Sequence, residues 1–147
     1  MTYLDTSALV KRFVSEAGSG DVQRLLIRGE PVACATIGYA ELYSGLTRRL
    51  REGGLSKVQY ELACRHVERD WTALIKVELG SEILSSARGL IQRHWLRAFD
   101  AIHLASALEL QGAVNERVTF VAADQQLLRA AAGERLATVN PETGRTR

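Results

Sequence analysis

Short apolar runs of four or five residues recur along this chain, each followed by a longer stretch whose apolar residues return every three or four positions. A run that short is too brief for a helix, and a stretch of helical period cannot lie in a sheet without turning many apolar side chains to water. The alternation therefore predicts βα units, a parallel sheet covered by helices. Strands are expected at Thr2–Asp5, Val32–Ala35, Ala73–Val77, Val118–Ala122 and Arg135–Val139. Helices fill the gaps at Ser7–Val14, Gly20–Gly29, Ile37–Arg51, Lys57–Trp71, Ser81–His94, Asp100–Leu110 and Asp124–Ala131.

Local chemistry marks several boundaries. Ser7, Thr36 and Asp124 are placed to cap the helices that follow them. Gly53 and Gly54 close the long helix begun near Ile37, and Gly112 and Gly133 are expected to stop two others. No repeat or Pro-rich linker divides the 147 residues, so one domain is expected over 1–139. Residues 140–147, with Pro141 and Gly144 and no apolar pattern, read as a flexible tail.

With 46% apolar residues the chain can build a core, which excludes a disordered polymer. A formal charge of +2 permits a nucleic-acid substrate without demanding one. Cys34 and Cys64, with no framework spacing, suggest reduced thiols, although sequence leaves a disulfide open. No basic leader and no membrane-length apolar run is evident. A soluble, cytoplasmic protein with no membrane partner is expected.

Four carboxylates fall at the ends of these elements. Asp5 ends the first strand in YLDTSALV, Glu41 lies early in the third helix in TIGYAELYSGL, Asp100 opens the apolar helix FDAIHLASAL, and Asp124 follows the fourth strand in TFVAADQQLL. In parallel α/β sheets ligands bind beyond the carboxyl ends of strands, where Asp5 and Asp124 both stand. Each acid also has a structural explanation. Asp5 can bond the turn after its strand, Asp124 can cap a helix, and Glu41 can be a solvated residue opposite the stripe Tyr39, Tyr43, Leu46 and Leu50. Asp100 shares a face with His103, Leu104 and Ala107, so it is expected near the interior, where a carboxylate needs a cation, a donor or a metal. Carboxylates gathered together repel one another, and a hard divalent cation removes that penalty. Zinc is disfavoured, because His66, His94 and His103 show no ligand spacing with either cysteine.

At these same four segments the chain resembles the PIN-domain ribonucleases, and specifically the VapC toxins of type II toxin–antitoxin systems. The resemblance runs nearly end to end, through YLDTSALVKRF, AELYSGL, LRAFDAIHLASAL and TFVAADQQLL. It implies a three-layer α/β/α sandwich with a central parallel sheet in strand order 3-2-1-4-5. It implies also that Asp5, Glu41 and Asp100 hold Mg2+ or Mn2+, with Asp124 as the fourth acid and Thr6 or Ser7 as a nearby hydroxyl. The expected activity is metal-dependent hydrolysis of RNA phosphodiester bonds, and the expected partners are an RNA substrate, a cognate antitoxin and a second copy in a homodimer. One departure is Ala122, where the family often carries Thr or Ser two residues before the fourth acid.

If one cation is shared, Glu41 should lie about 4–6 Å from the two aspartates, and a separation beyond about 10 Å would refute its assignment. Arg48, Arg49 and Arg97 are candidates to grip substrate phosphates, with Lys11, Arg12 and Arg129 behind them. Cations at a helix end also simply favour its dipole. Trp95 can stack on a base or serve as an interface residue. Leu9, Phe13, Leu25 and Leu26 can line a groove for an antitoxin tail or pack against the sheet. Two other functions remain open on sequence: a phosphoryl transferase with Asp5 as nucleophile, which would want an acid where Ser7 stands, and a non-catalytic binding module of the same fold. Gly18-Ser19-Gly20 follows a helix rather than a strand and makes no nucleotide-binding loop.

Overall fold

The computed structural model describes residues 1–146. In chain order the elements are β1 (Thr2–Leu4), α1 (Thr6–Leu9) continued by a 3-10 turn (Val10–Arg12), α2 (Ser19–Ile27), β2 (Val32–Ala35), α3 (Gly38–Arg51) and α4 (Lys57–Trp71). There follow β3 (Ile75–Val77), α5 (Ser81–His94), α6 (Ala98–Val114), β4 (Thr119–Val121), α7 (Gln125–Gly133), β5 (Ala137–Asn140) and β6 (Arg145–Thr146). The first five strands are parallel in the order β3-β2-β1-β4-β5, as the resemblance implies. β6 adds a short antiparallel edge to β5.

The two-residue period of the strands sorts side chains into two buried layers. Tyr3, Ala33, Ala35, Phe120 and Ala122 face one way, onto α5, α6 and α7. Leu4, Cys34 and Val121 face the other, onto α1, α3 and α4. Tyr3 stacks on Phe120 across the β1–β4 pair, with ring centroids 5.5 Å apart. Such cross-strand aromatic pairs fix register as well as adding contact. Helix α6 is apolar on nearly all sides because it packs against α5, α7 and β2 at once.

Several boundaries differ from those expected. β1 stops at Leu4, and Asp5 rather than Ser7 caps α1. Thr36 does not cap α3; its hydroxyl donates to Val77 O instead. Gly112 does not end α6, which runs to Val114 and closes on Asn115 in the left-handed region (φ 51°). Gly53 does close α3, at φ 78°, where a β-carbon would be strained. Ser56 caps α4 in a reciprocal box with Gln59.

Asn140 of the expected tail closes β5, and the chain then turns back so that Arg145–Thr146 form β6. Asn140 is buried, and its Oδ1 accepts from the Glu142 amide at 2.8 Å. Arg147 lies outside the described residues. Leu9 belongs to the core, and Phe13, Leu25 and Leu26 pack against the same cluster, so these four cover the sheet rather than line an open groove. Both cysteines are free thiols. No helix among the described residues is long and apolar enough to cross a membrane.

Candidate active site

Strand order decides which acids can meet. β1 and β4 are neighbours, and the Asp5 amide donates to Val121 O at 3.0 Å, so the pairing continues past the end of β1. Asp5 Oδ2 accepts from Ser7 N at 3.1 Å and from Ser7 Oγ at 2.5 Å. Ser7 Oγ in turn accepts from the Ala123 amide at 3.0 Å. One oxygen of this buried carboxylate thus knits the end of β1 to the loop after β4. The other, Oδ1, lies 3.8 Å from His103 Nε2.

Glu41 reaches the same place because α3 starts unusually close to the sheet. A β-carbon on Gly38 would stand 2.6 Å from Cys34 Sγ and 3.4 Å from Thr6 Oγ1, so only glycine allows this approach. One turn on, Glu41 Oε2 accepts from Thr6 Oγ1 at 2.9 Å and lies 2.6 Å from His103 Nε2. Glu41 and Asp5 each approach one imidazole nitrogen, so their nearest oxygens are no farther apart than those two lengths together. That is well inside the 10 Å limit set for Glu41.

His103 is the residue that binds this arrangement together, and sequence reading assigned it no role. It is fully buried. Its Nδ1 lies 3.0 Å from the Tyr3 hydroxyl, which already accepts from the Ala35 amide at 3.0 Å. A neutral imidazole takes the tyrosine proton at Nδ1 and directs Nε2–H to Glu41, with Thr6 Oγ1 at 3.1 Å beside it; the protonated ring directs Nε2–H to Glu41 as well. Burial alone would push the imidazole pKa down. The hydrogen bond to Glu41 and the charges of Asp5, Glu41 and Asp100 outweigh it and hold the pKa above the usual histidine range.

Asp100 stands in the first turn of α6, half-buried, with Arg97 Nε 3.6 Å from its Oδ2. Burial raises its pKa first, the Asp5 charge adds to that, and Arg97 only partly opposes them. Asp124 is the N-cap of α7, accepting from the Leu127 amide at 2.8 Å, and its other oxygen lies 3.8 Å from Arg97. The exposed guanidinium of Arg97 therefore spans two acids.

An acid whose folded pKa is raised costs stability in full above that folded value, and the cost shrinks to zero as pH falls from the folded to the unfolded pKa. Asp100→Asn is accordingly expected to raise the melting temperature at neutral pH in chelator-treated protein. The gain should shrink toward zero on acidification. A lower melting temperature across the whole pH range, measured by calorimetry, would show that the aspartate is held by favourable contacts instead.

Asp5, Glu41 and Asp100 line one cavity of about 660 Å³, together with Thr6, Ser7 and Lys11. Arg48, Arg49 and Arg97 line it as well, so the three candidate phosphate contacts all reach its walls. Asp124 is not part of that lining, although its neighbour Ala123 is. Arg49 is engaged, donating to Glu16 Oε2 at 2.8 Å, whereas Arg48 is exposed at the cavity edge. Trp95 is 85% exposed in a left-handed backbone conformation, one residue before the buried Leu96.

The donors suit a hard cation: among the described residues Asp5 Oδ1, Glu41 Oε1 and both oxygens of Asp100 accept no hydrogen bond. They are not, however, gathered into a cage of three protein ligands among those residues. Magnesium usually keeps several waters and takes only one or two carboxylates directly, so an open oxygen-lined cavity is compatible with it.

The α/β/α sandwich with an acid cluster beyond the central strands is that of a PIN domain, and the chain matches the PIN domain family over residues 2–133. It belongs to that family. Ribonuclease VapC49 of Mycobacterium tuberculosis (strain ATCC 25618 / H37Rv) is 33% identical over 108 residues, 74% of this chain and 75% of that protein. Ribonuclease VapC47 of Mycobacterium tuberculosis (strain CDC 1551 / Oshkosh) is 31% identical over 132 residues, covering 87% of this chain and 88% of the other. Among solved structures, a toxin–antitoxin complex from Klebsiella pneumoniae superposes with a TM-score of 0.69 at 18% identity, covering 96% of this chain and 98% of that one. FitAcB from Neisseria gonorrhoeae gives 0.66 at 18% identity, with the same coverage.

Proposed function

We propose that this protein is a metal-dependent endoribonuclease, the toxin half of a toxin–antitoxin pair. The observation that carries the proposal is the shared cavity of Asp5, Glu41 and Asp100, with open carboxylate oxygens beside Arg48, Arg49 and Arg97. The ribonuclease names of relatives aligned over most of the chain support it.

Asp5, Glu41 and Asp100 would hold Mg2+ or Mn2+, directly or through water. Such a cation supplies charge neutralisation at the phosphate and makes water more acidic. The chain's own groups do the rest. Arg48, Arg49 and Arg97 bind the phosphates that flank the scissile bond. Asp5 or Asp124 orients the attacking water and takes its proton. Thr6 and His103 hold Glu41 in one rotamer, so its free oxygen stays turned to the cavity. Trp95 offers a π-face to an unpaired base near Arg97.

The proposed partner is an antitoxin whose segment covers the acidic cavity, and a second copy of the chain completes the working unit. A cytoplasmic site of action goes with an RNA substrate.

Purified protein freed of antitoxin is expected to cleave single-stranded RNA with Mg2+ or Mn2+, to stop on chelation, and to resume when the metal is restored. Undiminished cleavage in excess chelator would overturn the metal dependence. Calorimetry that detected neither metal binding nor cleavage would leave a binding module of the same fold.

A further inference from the structure

The cavity has a second wall, where Arg49 stands with Lys11 and two further acids, Glu16 and Glu142. Lys11 is only 4% exposed, and its Nζ donates to Glu16 Oε1 at 3.0 Å and to Glu142 Oε1 at 2.8 Å. Glu16 also receives Arg49 through its other oxygen. Two cations and two anions thus sit side by side on the cavity lining, next to the three acids.

The two anions are held very differently. Glu16 bridges both cations. Burial would raise its pKa, but the bonds from Arg49 and Lys11 outweigh that and hold it below the usual carboxylate range. Its amide is fixed to Ser19 Oγ at 3.0 Å. Glu142 arrives from the turn after β5 and meets Lys11 alone among the described cations. Its side chain is 40% exposed, against 28% for Glu16. A buried ammonium cannot be left without an anion, yet nothing requires that anion to be this carboxylate.

We propose that Lys11 and Arg49 form a subsite for an RNA phosphate beside the scissile one, and that the Glu142 carboxylate occupies it in the free protein. The inference rests on the ribonuclease reading above. An incoming phosphate keeps Lys11 paired, and it brings more acceptor oxygens than the carboxylate it displaces. Glu142 then acts as a built-in competitor of substrate, carried by the chain segment that forms β6.

The test is Glu142→Gln, which keeps a hydrogen-bond acceptor and the side-chain shape while removing the charge. Binding of a labelled single-stranded RNA is measured in chelator, so that nothing is cleaved. Kd is expected to fall about fivefold, the worth of one modest ion pair. The slope of log Kd against log salt should steepen by about one-half to one. Inorganic phosphate should raise the melting temperature of the variant more than that of the parent protein.

Glu116→Gln is the control, because Glu116 lies exposed before β4, at the amino end of the strands and away from the cavity beyond their carboxyl ends. An equal gain in that variant would reduce the effect to net charge and overturn the proposal. Unchanged or weaker RNA binding by Glu142→Gln would overturn it too. Parent protein that cleaves RNA with no effect of Glu142→Gln removes the subsite and leaves the ribonuclease standing. Tighter phosphate and RNA binding by the variant, with no cleavage under any metal, upholds the subsite and removes the ribonuclease.

Discussion

Replacing Asp5 with Asn should lower RNA cleavage by about 10³-fold or more, because charge stabilisation by a bound cation contributes several kcal/mol to such a step and each 1.36 kcal/mol is tenfold. Folding should survive the change. The capping oxygen Oδ2 takes two hydrogen bonds from Ser7, and an amide oxygen can accept both. What is lost is the charge on Oδ1, the oxygen turned to His103 and the cavity. A weakened cap costs about 1 kcal/mol, or roughly 2–4 °C in melting temperature for a domain of this size. Cleavage assays and thermal melts on the same preparation separate the two effects. Full activity in Asp5→Asn would mean that the acid cluster is not the reaction centre.

His103→Leu should affect both folding and activity. The imidazole pairs with Tyr3, Thr6 and Glu41, and leucine removes every one of those partnerships at a fully buried position. Leaving the Tyr3 hydroxyl and the Glu41 carboxylate short of a partner is expected to destabilise the fold by about 2–4 kcal/mol. The catalytic consequence is indirect, since His103 touches Glu41 rather than substrate. Groups that orient a site acid in this way are worth about 10–100-fold. The loss should fall on kcat with KM nearly unchanged, as expected for a positioning residue. In a double variant with Glu41→Gln the His103 contribution to kcat should vanish. If it persisted undiminished, His103 would be acting by some route other than Glu41.

The difference between Asp5 and His103 also shows what a sequence can carry. Asp5 stands where a strand must end and a helix begin, so the end of the apolar run marks it from its neighbours alone. Asp100 is visible in the same way, as an acid leading an apolar helix. His103 sits inside that helix like any buried residue, and its partners Tyr3 and Glu41 lie on β1 and α3, far away in sequence. Only the juxtaposition of three elements gives it a role.

Gly38 is a similar case: the glycine is plain in TIGYAE, but its purpose depends on Cys34 and Thr6 standing within contact distance. Lys11 reads as a candidate phosphate contact or a surface cation until Glu16 and the distant Glu142 are seen to enclose it. Conversely, Ser7 and Asp5 are both good capping residues two positions apart. Local chemistry could not decide between them, because the choice depends on Ser7 Oγ being taken up by Ala123. The sequence beyond Val139 lacks an apolar pattern, and β6 forms by backbone pairing with β5, which leaves no periodic trace.

The central place of β1 has a consequence for the chain as it is being made. Thr2 pairs with Val32 on one side but with Thr119 on the other, so β1 waits for the much later β4 before it is paired on both sides. Asp100 is delivered late as well, on the helix that precedes β4. Pairings so distant along the sequence form slowly, after the local helices. A ribosome-bound chain therefore carries Asp5 and Glu41 without the elements that enclose them until α6 and β4 have been made. For a chain with the activity proposed, the translating cell meets a competent enzyme only once α6 and β4 have been made and docked, the moment at which an antitoxin must already be present.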